Sequence, residues 1–328
     1  MNVDAALGVR GDVLPRGALV LVTDTVETSA EFVVSHFLRR ALAASDAARA
    51  AADAADGGGG GGEWKTCLVT SERCVAHHAN AMRKWGRNLR ADVKDGKLVV
   101  VDAHDSTPGW ATTRARGGDG DGDGDAVTDE SSPAKDVYEQ IARALGLNDG
   151  AGDEDGGASS SSSSSSSAAA SRVVVFDGVD AIAEAEESLE RRRGRRGDRT
   201  RAPVTSRGRV HAMVRSLLAH DSGVAVVALA HADAAGGEAI ESGGWLRRLT
   251  SDADVVARVE ALPSGVASDV HGLITATHRT GRMLPPPGDG DGDAARAGEA
   301  SARFRLTELG AELTRVIRSR AVAADATA

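Results

Sequence analysis

Five short apolar runs, almost without polar interruption, set what this chain can fold into. They are Ala18–Thr23, Thr66–Thr70, Lys97–Asp102, Arg172–Asp177 and Val224–Ala230. A run that does not alternate suits a strand covered on both faces, the condition of a strand inside a parallel sheet. Between the runs the apolar residues recur at helical spacing. Phe32, Val33, Phe37 and Ala41 do so, as do Val75, Ala79, Met82 and Leu89 within Cys74–Leu89. Val137, Ile141, Ala144 and Leu145 repeat the pattern within Ala134–Leu147, and a further helix is expected near Val210–His220. Thr28 and Glu31 have capping-box spacing, so the first of these helices should start there. Strand then helix, repeated, predicts a mostly parallel sheet with helices on both faces. After Ala230 the pattern changes. Asp254–Leu262 alternates, Pro263-Ser-Gly265 turns, Val270–His278 is strand-like, and Phe304–Thr307 supplies a last strand. An antiparallel hairpin or meander should therefore extend the sheet.

Low-complexity inserts interrupt this order at about 57–62, 117–132, 148–171, 187–209 and 284–300. Setting them aside leaves about 240 residues, enough for one sizeable core. The expected division is a tail over 1–17, a single domain over 18–318 with the inserts as disordered loops, and a tail over 319–328. Aromatic residues make up only 3% of the chain, so Val, Leu, Ile and Ala must build the core. The formal charge of −9 is placed unevenly. Three Asp/Gly-rich inserts carry the excess acid, and the remainder is mildly basic, so the acidity describes solvated loops rather than a partner surface. Cys67 and Cys74 exclude a disulfide framework, and their spacing is not that of zinc ligands. No apolar run approaches the ~20 residues that span a bilayer. The expectation is a cytoplasmic and nuclear protein without metal or cofactor.

A buried strand opening into a helix is where a phosphate-binding loop would sit. Such a loop needs Gly for close backbone approach, Lys for the outer phosphates and Ser or Thr for magnesium. Asp24-Thr-Val-Glu-Thr-Ser-Ala30 has neither Gly nor Lys, and it puts Asp24 and Glu27 where anionic phosphates would lie. Thr28 and Ser29 read as helix-capping residues. Val173-Val-Val-Phe-Asp177 has the form of a Walker B strand, whose terminal Asp orders magnesium in an ATPase. Strand-end Asp residues also cap turns, and Gly178 follows directly. The nine histidines show no metal-ligand spacing, and no catalytic residue is assigned. Asp102 and Asp105 flank His104 as an acid/base pair would, although loop polarity explains them equally. The segment Glu190–Arg209 holds nine arginines, among them Arg191, Arg192, Arg193, Arg195 and Arg196. Clustered guanidinium groups attract phosphate without reading sequence, and no aromatic residue is interleaved for base stacking.

Four segments carry a family resemblance. Leu19-Val-Leu-Val-Thr-Asp24 with Glu31–Leu38 resembles the opening strand and helix of Elongator complex protein 6, and Asp95–Asp102 resembles its third-strand region. Val173–Asp180 is similar to its degenerate Walker B strand. Ala253–Gly265 followed by Ser268-Asp-Val-His-Gly-Leu273 resembles its hairpin. The resemblance runs from about Ala18 to His278. It implies a RecA-like (P-loop NTPase-like) three-layer α/β sandwich with a mostly parallel central sheet and a C-terminal antiparallel hairpin. It also implies a non-catalytic pseudo-ATPase subunit without cofactor, in which Asp177 is a vestige of the Walker B carboxylate. The implied partners are Elongator proteins 4 and 5 in a hetero-hexameric ring, required for modification of the wobble uridine, U34, of transfer RNA. Transfer RNA would bind through the assembled ring. Two alternatives stand beside this: a RecA-type ATPase or recombinase paralogue using Asp177 for magnesium, and Elongator protein 5. Asp269-Val-His-Gly272 favours protein 6.

Overall fold

Side-chain alternation within β1 (Leu19–Asp24) explains why its sequence does not alternate. Val20 and Val22 enter an apolar cluster on one face of the sheet, Leu19 and Leu21 a second cluster on the other, and all four are fully buried. β4 (Arg172–Phe176) repeats this, with Val173 and Val175 on one side and Val174 and Phe176 on the other. In this computed structural model the described residues are 3–7, 9, 13–54, 64–103, 132–147, 172–195, 206–233, 244–262, 264, 265, 267, 269–280, 299–307 and 310–315. The other strands are β2 (Lys65–Thr70), β3 (Leu98–Asp102), β5 (Val224–His231), β6 (Val255–Glu260), β7 (Gly272–His278), β8 (Glu299–Thr307) and β9 (Gly310–Arg315). They form one sheet in the order β3-β2-β4-β5-β1-β6-β7-β8-β9. Pairing is parallel from β3 through β6 and antiparallel from β6 through β9.

Eight helices cover the two faces among the described residues. α1 (Val3–Leu7), α2 (Glu31–Ala54), α3 (Val75–Lys84) and α4 (Leu89–Lys94) contribute to the first cluster. α5 (Pro133–Leu145), α6 (Asp180–Arg195), α7 (Ser206–Leu218) and α8 (Trp245–Asp252) contribute to the second. Two packed layers of helix around a sheet bury the strands on both sides, at roughly 1.5–3 kcal/mol for each large apolar side chain. Gly272 shows how tight the β6–β8 region is. A Cβ there would stand 2.5 Å from the Glu260 carbonyl oxygen and 2.7 Å from the Phe304 ring, which itself stacks on Phe32 at 5.0 Å.

Several expectations need correction. The residues expected as an N-terminal tail include α1, whose Val3, Ala6 and Leu7 are buried and whose Asp4 pairs with His36 and Arg40 of α2. The helix expected over Cys74–Leu89 ends at Lys84, because the chain turns at Trp85-Gly86 with Gly86 at φ 76°, and α4 begins only at Leu89. The insert expected over 187–209 is helical at both ends, as α6 runs to Arg195 and α7 begins at Ser206. Glu186 interrupts the apolar stripe of α6, lying on it between Ile182 and Leu189, all three fully or almost fully buried. Likewise Glu299 and Ala300, assigned to an insert, begin β8, and β9 and α8 were not expected. The inserts at 57–62 and 148–171 lie outside the described residues, as do 117–131, 281–298 and the C-terminal tail. No described helix is long and apolar enough to cross a membrane.

Candidate functional site

In open α/β sheets the crevice beyond the carboxyl ends of the parallel strands is where ligands bind. Here that edge is lined by carboxylates and histidine. Asp24, the last residue of β1, is buried, and its Oδ2 accepts the N–H of Ala30 at 2.8 Å. The expected Thr28–Glu31 capping box does not form. Ser29 Oγ accepts the Glu31 N–H at 3.3 Å, Thr28 Oγ1 donates to the Val259 carbonyl at 3.3 Å, and Glu31 reaches across to His77. The intervening segment closes as a tight turn, with the Thr28 N–H on the Thr25 carbonyl at 3.1 Å. Val26 stands exposed at its tip, and its N–H donates to Asp233 at 2.6 Å. Of the N–H groups in the position of a phosphate loop, those of Val26 and Ala30 are thus taken by carboxylates of this chain, that of Thr28 by a carbonyl and that of Glu31 by a hydroxyl.

Asp177 follows β4 and is also buried. Its Oδ1 accepts the Ser71 N–H at 2.7 Å, the Ser71 hydroxyl, whose one proton is shared with the Gly178 carbonyl, at 2.9 Å, and the Glu72 N–H at 3.2 Å. Its Oδ2 accepts the Arg73 N–H at 3.0 Å and His78 Nε2 at 3.0 Å. Burial pushes the carboxyl up, but His78 and the backbone N–H groups outweigh it and hold Asp177 below the usual carboxylate range. Five donors converge on two oxygens, so the carboxylate ties the end of β2 and helix α3 to the end of β4. His77 and His78 diverge as neighbours on a helix must, with His77 outside and His78 inside.

The third group is centred on His231, the last residue of β5. Its Nδ1 lies 2.5 Å from Asp24 Oδ1 and its Nε2 2.8 Å from Glu72 Oε2, while its backbone N–H donates to Asp180 Oδ2 at 2.7 Å. The hydrogen bonds to Asp24 and then Glu72 push the imidazole up to about 11, so it is an imidazolium at neutral pH. Burial pushes the Asp180 carboxyl up to about 7. Gly178 makes this meeting possible. A Cβ on it would fall 1.9 Å from Glu72 Oε1 and 2.5 Å from Glu72 Cγ. Glu72, Asp180 and His231 each offer one ligand atom, all within 4.8 Å of one another, so the set could hold a cation.

Of the arginines singled out in sequence, Arg191 is exposed and pairs with Glu187 at 3.8 Å. Arg192, Arg193 and Arg195 have their backbones on the end of α6, and Arg196 lies outside the described residues. Arg209, from the same run, is structural: its Nη1 pairs with the buried Glu186 at 2.7 Å and its Nη2 with Glu190 at 3.6 Å. His104 and Asp105 also lie outside the described residues. Sequence reasoning missed Glu72, Asp180 and His231. The available signal was position: each stands at or just beyond the carboxyl end of an apolar run.

The parallel centre, the helices on both faces and the antiparallel extension are those of the RecA-like three-layer sandwich expected from sequence. No protein-family model matches the chain, and no curated protein matches it. Among solved structures the chain is similar to a KaiC-like protein of the hyperthermophilic archaeon Pyrococcus horikoshii. Identity is 12% and the TM-score 0.48, over 94% of this chain and 97% of that one.

Proposed function

We propose that this chain is a non-catalytic RecA-like subunit of the Elongator accessory ring, of the Elongator complex protein 6 type. The observation that carries the reading is Asp24. Its carboxylate takes the Ala30 N–H at the start of α2, where a nucleotide phosphate would have to bind. An ATPase would also need Asp177 to order magnesium, and that carboxylate already accepts from five donors of this chain, of which at least one would have to give way. A RecA-like fold with its phosphate position filled by its own side chains retains sheet edges and helix faces for assembly. The resembling segments map onto β1 with α2, β3, β4 and the β6–β7 hairpin. In this reading the chain joins Elongator proteins 4 and 5 in a hetero-hexameric ring, in cytoplasm and nucleus, and the ring serves wobble-uridine modification of transfer RNA. Arg191, Arg192, Arg193, Arg195 and Arg196 would add affinity for its phosphates.

Affinity purification of the tagged chain from its own cells, with identification of what co-purifies, tests the assignment. Recovery of Elongator proteins 4 and 5 is expected. An isolated monomer that hydrolyses ATP would refute it. For the arginines, the assembled ring carrying Ser at those five positions should show a shallower salt dependence of transfer-RNA binding, and an unchanged slope removes them from the interface.

A further inference from the structure

We propose that Glu72, Asp180 and His231 form a site for a divalent transition-metal cation, of the Mn2+ or Zn2+ kind, at the carboxyl edge of the parallel sheet. The three residues come from three neighbouring strands: Glu72 follows β2, Asp180 follows β4 as the first residue of α6, and His231 ends β5. Their ligand atoms lie within 4.8 Å of one another. Two carboxylate oxygens with one imidazole nitrogen make a mixed donor set, which favours transition metals over magnesium or calcium.

Two features show a built arrangement rather than a chance gathering of acids. The first is the orientation of His231. Its Nδ1 is held at 2.5 Å by Asp24, which is buried and itself fixed by the Ala30 N–H at 2.8 Å. A carboxylate on the far nitrogen is the usual support of a ligating histidine, and here it turns Nε2 toward Glu72. The second is Gly178. The 1.9 Å approach that any Cβ there would make to Glu72 Oε1 means that only a bare backbone lets the Glu72 carboxylate lie over the β4 turn. Charge points the same way. Three carboxylates surround one imidazole, and among the described residues Asp24 and Glu72 form their ion pairs with His231 and with no lysine or arginine.

The fit requires little movement. His231 Nε2 and Glu72 Oε2 are 2.8 Å apart. Two ligands at about 2.1 Å in tetrahedral geometry stand about 3.4 Å apart. The cation would therefore open that hydrogen bond by roughly half an ångström, draw Asp180 inward and replace the Nε2 proton, which leaves to solvent. Glu72 and His231 are 18% and 31% exposed, so the site is reachable from solvent.

The test uses the full chain stripped with a chelator and titrated by calorimetry with Mn2+, Zn2+ and Mg2+. One equivalent of Mn2+ or Zn2+ should bind, with Mg2+ at least about tenfold weaker. His231→Gln should weaken binding by more than about tenfold, and Asp24→Asn by about ten- to a hundredfold, because it removes only the support of the imidazole. The Co2+-loaded native chain should show d–d bands without thiolate charge transfer, and zinc X-ray absorption should report one imidazole with oxygen ligands. These two readouts stand even if the variants fail to fold. Absence of stoichiometric binding, equal affinity for Mg2+, unchanged affinity in His231→Gln, or a sulfur ligand would each overturn the proposal. None of these outcomes bears on ring assembly, so the two readings fail separately.

Discussion

Replacing Asp177 by Asn decides whether this carboxylate is a fastener or a magnesium ligand. The side chain keeps its shape and loses its charge and one acceptor. If the amide oxygen takes the place of Oδ1, it keeps the Ser71 N–H, the Ser71 hydroxyl and the Glu72 N–H. The amide NH2 then faces the Arg73 N–H and His78 Nε2, both donors to the native carboxylate at 3.0 Å. His78 can adapt, because its buried Nδ1 has no partner and can take the ring proton, leaving Nε2 to accept. The Arg73 N–H cannot. The Arg73 bond is lost at roughly 1.5–3 kcal/mol, the His78 bond weakens from charge-assisted to neutral at about 1 kcal/mol more, and relief from burying a charge returns part of that, for a net cost of about 2 kcal/mol. For a domain of this size the melting temperature should fall by about 4–8 °C. Urea and thermal unfolding of the two chains measure it. Since the donors hold the folded-state value below the usual range, Asp177 stabilises the fold fully above the unfolded value and loses that contribution as pH falls through the folded one. The native chain should therefore lose stability below about pH 4 through this group, and the Asn variant should lack that component. An Asn variant within about 0.5 kcal/mol of the native chain, with a lost magnesium-nucleotide property, would refute the reasoning.

Three further outcomes are expected. Arg209→Met leaves the Glu186 carboxylate buried with only Ser132 and the Ala134 N–H as donors, and should cost about 2–3 kcal/mol in urea unfolding. Adding Glu186→Gln should recover most of it, and an unchanged midpoint in the single variant would show that the pair holds nothing. Cys67 is fully buried and its thiol pushed up to about 12 by burial, whereas Cys74 is exposed. A thiol reagent should therefore label one cysteine rapidly in the native chain and the second only on unfolding, and two rapid equivalents would contradict the packing. Asp4 is held below the usual carboxylate range by His36 and Arg40 against the opposing effect of burial, and this pairing ties α1 to α2. Asp4→Asn should raise amide hydrogen exchange in residues 3–7 at neutral pH by about tenfold while β1 stays protected, and equal exchange in both chains would show α1 docked by apolar contact alone.

The unbroken run at Leu19–Val22 already required a strand covered on both faces, and four more such runs separated by helical periods required a parallel sheet between helix layers. Apolar period reports local burial, and these elements are buried by their own sequence. The lack of Gly and Lys between Asp24 and Ala30 likewise spoke against a phosphate loop without any coordinates. Period fails where a buried stripe carries a charge. Glu186 broke the α6 pattern because its partners, Arg209 and the α5 N-terminus, come from other elements. Short α1 and α8 are held by packing rather than by propensity, so local sequence could not announce them. The site itself belongs to tertiary structure. Asp24 and His231 are 207 positions apart, and Glu72 and His231 are 159 apart. They meet because β1, β5, β4 and β2 lie in that order with their carboxyl ends at one edge, and crossovers between distant segments, not any local spacing, set that order.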